Sequence, residues 1–177
     1  YLKAAVEEFR ALCPDIPLAV QESGMDEAAR EAYLARFSPR GSGTLVGFCV
    51  LGGVFSEGID LAGAALIGCV VVGVGLPQIG PEQDALRDYY EAARGSGFAY
   101  AYQFPGMNKV LQAAGRVIRT KEDRGLVLLI DSRYTRAEYR CLMPPHWSHM
   151  RYVSAPKQAQ ELVQAFWSET NKEETAL

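Results

Sequence analysis

The stretch "ALIGCVVVGV", residues 65–74, decides the fold class. Its apolar residues fall on both sides of an extended chain, the pattern of a parallel strand buried on both faces. "TLVGFCVL" at 44–51 and "GLVLLIDSR" at 125–133 repeat that pattern, and "IPLAVQ" at 16–21 is a shorter strand candidate. Helical spacing separates these runs. Leu2, Ala5, Val6, Phe9 and Leu12 mark one helix face, and Ala29, Tyr33 and Phe37 mark another behind a capping Asp26. Further helices are predicted over 82–95, 106–120, 136–142 and 156–169, the last opening on Pro156, with "FAYAYQF" at 98–104 as an extended segment. Strands alternating with helices imply an α/β fold with a mainly parallel sheet covered by helices on both faces. Ligand loops in such sheets gather beyond the strand carboxyl ends, which directs attention to "GGVFSEGID" at 52–60 and "GLPQIG" at 75–80.

The 177 residues suit one domain, and 49% hydrophobic content is enough for a core. A net charge of −3 means that any nucleic-acid contact comes from a local patch, and residues 109–140 hold a local excess of Lys and Arg. Cys13, Cys49, Cys69 and Cys141 are scattered, with Cys49 and Cys69 expected as buried thiols. That usage points to a reducing compartment, with a cytoplasmic location expected, and to neither a disulfide framework nor a zinc site. His146 and His149 read as ordinary loop residues. The longest apolar run, 61–77, carries four glycines and does not read as a membrane span. The opening "YLKAAVEEFRAL" reads as the middle of an element, so the expectation is a fragment of a longer protein.

Several chemistries are absent. No phosphate-cradling G-x-x-x-x-G-K-[ST] occurs. In "GVGLPQIG" the glycine spacing is wrong for a dinucleotide fingerprint, and Pro77 interrupts the helix start. Val54, two residues before Ser56, breaks the nucleophile-elbow pattern.

"LQAAGRVIRTKEDRG", residues 111–125, is the unusual helix. On a helix from Leu111 to Arg119, Gln112, Arg116 and Arg119 stand at i, i+4 and i+7 on one stripe. Val110, Ala114, Val117 and Ile118 fall opposite and face the sheet, and Gly115 lets another surface approach. Arginine suits phosphate because its planar fork forms paired hydrogen bonds and keeps its charge. The plainer alternative is a solvated face whose arginines favour the negative helix end and pair with Glu122 or Asp123. In "GVFSEGID", Gly53 and Gly58 bracket a turn holding Ser56, Glu57 and Asp60, which reads either as a site or as a strand-to-helix connection with a capping acid.

Taken in order, "GGVFSEGIDLAG", "VVVGVGLP" and "QAAGRVIRTKEDRGLVLLIDSRY" resemble the second motor domain of the DinG/XPD-like superfamily 2 DNA helicases. The resemblance runs from about residue 44 to 153. It implies a RecA-like three-layer domain over 1–168, expected to lack its first strand, and a polar tail over 169–177. It further implies an ATP-hydrolysing helicase in which ATP and Mg2+ are bound mainly by a first motor domain of the same polypeptide. The family allows that domain an iron–sulfur cluster, and the four cysteines here are not that cluster. By resemblance, Gln112, Arg116 and Arg119 face the β- and γ-phosphates, with Arg119 the first choice for an arginine finger and Arg116 the next. Glu57, Gly58 and Asp60 would line the same cleft, and Ser56 with the "GLPQIG" loop would contribute to a single-stranded DNA track. The resemblance implies no membrane partner, no particular oligomeric state, and an isolated chain inactive without the first domain. The alternative is a non-catalytic RecA-like module that binds nucleic acid or a partner.

Overall fold

The computed structural model describes residues 1–37, 43–53, 66–121 and 123–175. They form two compact units, Tyr1–Asp131 and Ser132–Leu177.

In the first unit, α1 (Leu2–Leu12) leads to β1 (Leu18–Val20), α2 (Glu27–Ala35) and β2 (Val46–Phe48). Asp26 starts α2 as predicted, its Oδ1 accepting the Ala29 N–H at 2.8 Å. β1 and β2 pair in parallel, with Ala19 opposite Gly47. Ala19 and Tyr33 are buried, with Met25, Leu34, Phe37 and Leu45 packed around them. Gly47 leaves room for aromatic rings: a Cβ there would stand 2.5 Å from Phe37 Cζ.

β3 (Gly68–Val72) pairs in parallel with β4 (Leu126–Ile130), Val70 opposite Leu128. Between them come α3 (Pro81–Arg94), a π-helical turn (Ala99–Gln103) and α4 (Phe104–Ala114). Pro81 opens α3 and Gly95, at φ 63°, closes it in the left-handed conformation that glycine adopts without strain. α4 packs on β3. Met107, Val110 and Ala114 are buried along α4, at helical spacing. Full burial of side chains such as Met107 and Val110 contributes about 1.5–3 kcal/mol each. The parallel strands and flanking helices give the predicted α/β, RecA-like layering.

Three local expectations are corrected. "FAYAYQF" is helical rather than extended, because Ala99–Gln103 forms the π-turn that runs directly into α4. Pro105 lies at the start of α4. A proline lacks an N–H and crowds the preceding turn, and the wider π-turn relieves both problems. The helix predicted to reach Thr120 ends at Ala114. Of the two thiols expected to be buried, Cys69 is half-buried and Cys49 is exposed. Among the described residues, β3 also turns one face outward, with Val70 59% and Val72 44% exposed.

The second unit holds a 3-10 turn (Ser132–Thr135), the short α5 (Ala137–Arg140), a second 3-10 turn (Pro145–Trp147) and α6 (Pro156–Thr175). Tyr134 and Tyr139 are its buried aromatics.

Candidate functional site

α4 spans the β3–β4 layer from one edge to the other. At its start, Gly106 lies against the strand exit: a Cβ there would be 2.7 Å from the Val74 carbonyl oxygen. Beyond its end, Val117 packs on Gly125, which leads into β4, and a Cβ on Gly125 would clash with Val117 Cγ1. That same Cβ would be 3.1 Å from the carbonyl oxygen of Ile67, just before β3. The helix therefore runs antiparallel to β3. Its far end delivers the arginine segment to the amino-terminal edge of the strands.

Gln112 is exposed on the last turn of α4. Gly115 ends the helix at φ −67°, ψ −6°. The next two residues tighten into 3-10 geometry, the Arg116 N–H bonding to Ala113 O at 3.3 Å and the Val117 N–H to Ala114 O at 3.2 Å. Glycine and the β-branched pair Val117-Ile118 make further helix unfavourable. Val117 is 3% exposed and so anchors the turn, whereas Ile118 is 47% exposed and does not face the sheet as expected. Arg116 is half-buried and Arg119 exposed. The expected i, i+4, i+7 stripe thus holds for the Gln112–Arg116 step only as far as a tightened turn preserves it. Arg119 lies past the helix. A Cβ on Gly115 would meet its own turn, 3.2 Å from the Leu111 carbonyl oxygen, so no other described surface uses the space.

Arg119 is placed by Asp123. Asp123 Oδ2 accepts the backbone N–H of Arg119 at 2.9 Å and of Thr120 at 2.8 Å. Those two backbone bonds hold the Asp123 carboxyl below its ordinary value of 3.8. Asp123 is therefore a backbone clamp, a role not read from the sequence, where it figured as an ion-pair partner. The signal available was an aspartate three residues after Thr120, the spacing of a side-chain cap.

The opposite edge gathers the loops that follow β2 and β3. Gln21 Oε1 accepts the Val50 N–H at 2.8 Å, and the Gly53 N–H closes a turn onto Val50 O at 3.0 Å. Leu51 fills the space over Gly75, where a Cβ would be 2.7 Å from Leu51 Cδ2. Gly52, at φ 77°, passes beneath the Lys109 side chain, where a Cβ would be 2.8 Å from Lys109 Cδ. Gln21 and Lys109 were not singled out from the sequence, since neither belongs to a recurring motif. Gly53 is the last described residue before the predicted Ser56, Glu57, Gly58 and Asp60, which lie outside the described residues.

The arginine turn thus offers cationic donors with a fixed backbone, beside an exposed amide, and no described nucleophile–base pair accompanies it. Residues 1–150 match the family described as "Helicase C-terminal domain". The chain is 34% identical over 89 residues to the ATP-dependent DNA helicase DinG of Photobacterium profundum, covering 49% of this chain and 13% of that protein. It is 32% identical over 130 residues to the Regulator of telomere elongation helicase 1 homolog of Caenorhabditis elegans, covering 68% of this chain and 13% of the relative. With the ATP-dependent DNA helicase CHL1 of Coccidioides immitis the identity is 30% over 152 residues, 77% of this chain and 17% of the relative. The chain spans less than a fifth of the length of each of these relatives. The match over 1–150 makes the chain a member of the helicase C-terminal domain family, a second motor domain homologous to those of superfamily 2 DNA helicases.

Proposed function

We propose that this domain completes the ATP site of a DNA helicase from outside, by presenting Gln112, Arg116 and Arg119 to phosphates held on a first motor domain. The observation that supports it is the anchored turn: Val117 is buried against Gly125 and Asp123 clamps the Arg119 backbone, so the turn is held before any ligand arrives. Preorganised donors stabilise developing charge without reorganising during the reaction.

The residues fit a triphosphate by their chemistry. Two guanidiniums supply forked donors and fixed positive charge, and Gln112 supplies a neutral amide. ATP would bring the phosphoryl group to be transferred and Mg2+ would supply charge neutralisation, both bound mainly by the first domain. Arg119 contacts the transferring phosphoryl and Arg116 the neighbouring phosphate. Glu57, Gly58 and Asp60 complete the nucleotide cleft, and Ser56 contacts single-stranded DNA. Closing of the two domains on ATP and reopening after hydrolysis then drives translocation along the strand.

The test uses the protein that contains both motor domains. Arg119→Ala should lower DNA-stimulated ATP hydrolysis by on the order of 10³–10⁵, with little change in thermal stability. Arg119→Lys should restore only a small part, because a point charge lacks the fork. Unchanged hydrolysis would remove the finger role and leave a module that binds without catalysing. Robust ATP turnover by the 177-residue chain alone would contradict the reading from the other side.

A further inference from the structure

The second unit carries a feature that the nucleotide contact does not use. Between Ser132 and Lys157 stand Arg133, Arg136, Arg140, Arg151 and Lys157 against a single acid, Glu138. This run is strongly positive in a chain whose net charge is −3. Arg136, Arg140, Arg151 and Lys157 are all exposed. Within the run lies a pocket of ≈ 250 Å³ whose walls include Arg140, Met143, Pro145, Trp147 and Tyr152. The Arg140 guanidinium lies 5.6 Å from the centre of the Tyr152 ring, and Tyr152 is 51% exposed.

We infer that this pocket seats a base of single-stranded DNA, with the neighbouring phosphates held by Arg140 and the surrounding cations. The inference rests on the motor-domain reading only for choosing a DNA strand among polyanions. The volume is below the roughly 300–1,000 Å³ of pockets that enclose a drug-sized ligand, which suits one flat ring system entering from an open side. A methionine, a proline, an indole and a phenol give apolar and π faces. A guanidinium already stacked on Tyr152 is a planar cation for the next layer. Strand-binding surfaces that ignore sequence combine these two parts, a basic track and aromatic platforms. An acidic protein segment would be drawn by the charge but gives no reason for flat aromatic walls. The local structure keeps the pocket in shape: the Trp147 N–H bonds to Pro144 O at 2.9 Å, and the Met150 N–H to Trp147 O at 2.9 Å.

The probe is a fluorescein-labelled oligo-dT titrated with the 177-residue chain, read by anisotropy across a salt series. Trp147→Ala and Tyr152→Ala should each weaken binding roughly 5- to 150-fold, with the salt slope unchanged. Tyr152→Phe should bind like the parent. Arg140→Gln should lower the salt slope by about 0.7, one phosphate contact's worth on a single strand. An abasic oligonucleotide of equal length should bind the parent chain no better than oligo-dT binds Trp147→Ala. Equal binding of abasic and dT strands would overturn the base-binding pocket, as would tight, Trp147-dependent binding of polyglutamate in place of DNA. Tyr152 is exposed, so its variant answers the question even if the Trp147 variant unfolds. Hydrolysis by the two-domain Arg119 variants is a separate readout, so failure of the pocket and failure of the finger are told apart.

Discussion

The Asp123 carboxylate accepts the Arg119 backbone N–H at 2.9 Å, so the residue that presents the guanidinium is held by its main chain. The carboxyl is depressed from 3.8, chiefly by this bond and the one from Thr120. A depressed acid stabilises the fold above its unfolded pKa and loses that effect as pH falls through the lower folded value. The turn should therefore stay closed at neutral pH and loosen only in strong acid. Amide chemical shifts of Arg119 and Thr120 should titrate together with a midpoint below 3.8. Asp123→Ala should speed hydrogen exchange at both amides while leaving global stability almost unaltered, and protected amides in that variant would contradict the clamp.

Gly125 has no room for a methyl group, because Val117 Cγ1 and the Ile67 carbonyl already occupy its surroundings. Gly125→Ala should destabilise the chain by about 1–3 kcal/mol in urea unfolding. Adding Val117→Ala removes the flexible half of the clash and leaves the backbone half. The double variant should therefore be less destabilised than the sum of its parts. Strict additivity would mean that the two residues do not touch.

Gln21 ties the first residues of the glycine loop to the end of β1 through the Val50 N–H. Gln21→Ala should cost about 0.5–1.5 kcal/mol, the worth of one such bond. Gln21→Glu keeps an acceptor and should cost less. Hydrogen exchange at the Val50 amide is the direct measure, rising in the alanine variant and near the parent rate in the glutamate variant.

Cys69 gives the alkaline limit. Desolvation, and after it the neighbouring Cys49, push its thiol from 9.0 to about 11. The unfolded chain loses this proton first, so stability falls as pH rises from about 9 towards 11. Buried Tyr33 is pushed upward by the same causes and adds to the fall from about pH 10. Unfolding free energy should drop between about pH 9 and 11, and Cys69→Ala should flatten that drop. At about pH 8 a disulfide reagent should label the exposed Cys141 before Cys69.

The layering was legible because apolar runs such as "GCVVV" alternate with stretches of helical spacing, although among the described residues Val70 and Val72 leave one face of β3 exposed. The anchoring of the arginine segment was half legible. Val110, Ala114 and Val117 recur at helical spacing and all are buried, yet the backbone has left the helix before Val117. A 3-10 turn keeps the same side inward for one more residue, so the side-chain pattern does not reveal the change. "FAYAYQF" misleads for a related reason. Its aromatics alternate as they would along a strand, but the same spacing makes i, i+4 pairs. Phe98 stacks on Tyr102 with centroids 5.4 Å apart, and Tyr100 meets Phe104 edge-on at 5.1 Å. Asp123 and Gln21 act on backbone groups brought close by turns and strand pairing, and a residue pattern without coordinates does not reveal such partners.

α4 has a mechanical consequence. It is a stiff rod of 11 residues, about 16 Å long at 1.5 Å per residue, wedged at Val74 by Gly106 and held at Gly125 by Val117. Neither end can give without opening a packed contact. A displacement of the arginine turn is therefore expected to be passed along α4 toward the strand exit at Val74 rather than absorbed by bending of the helix.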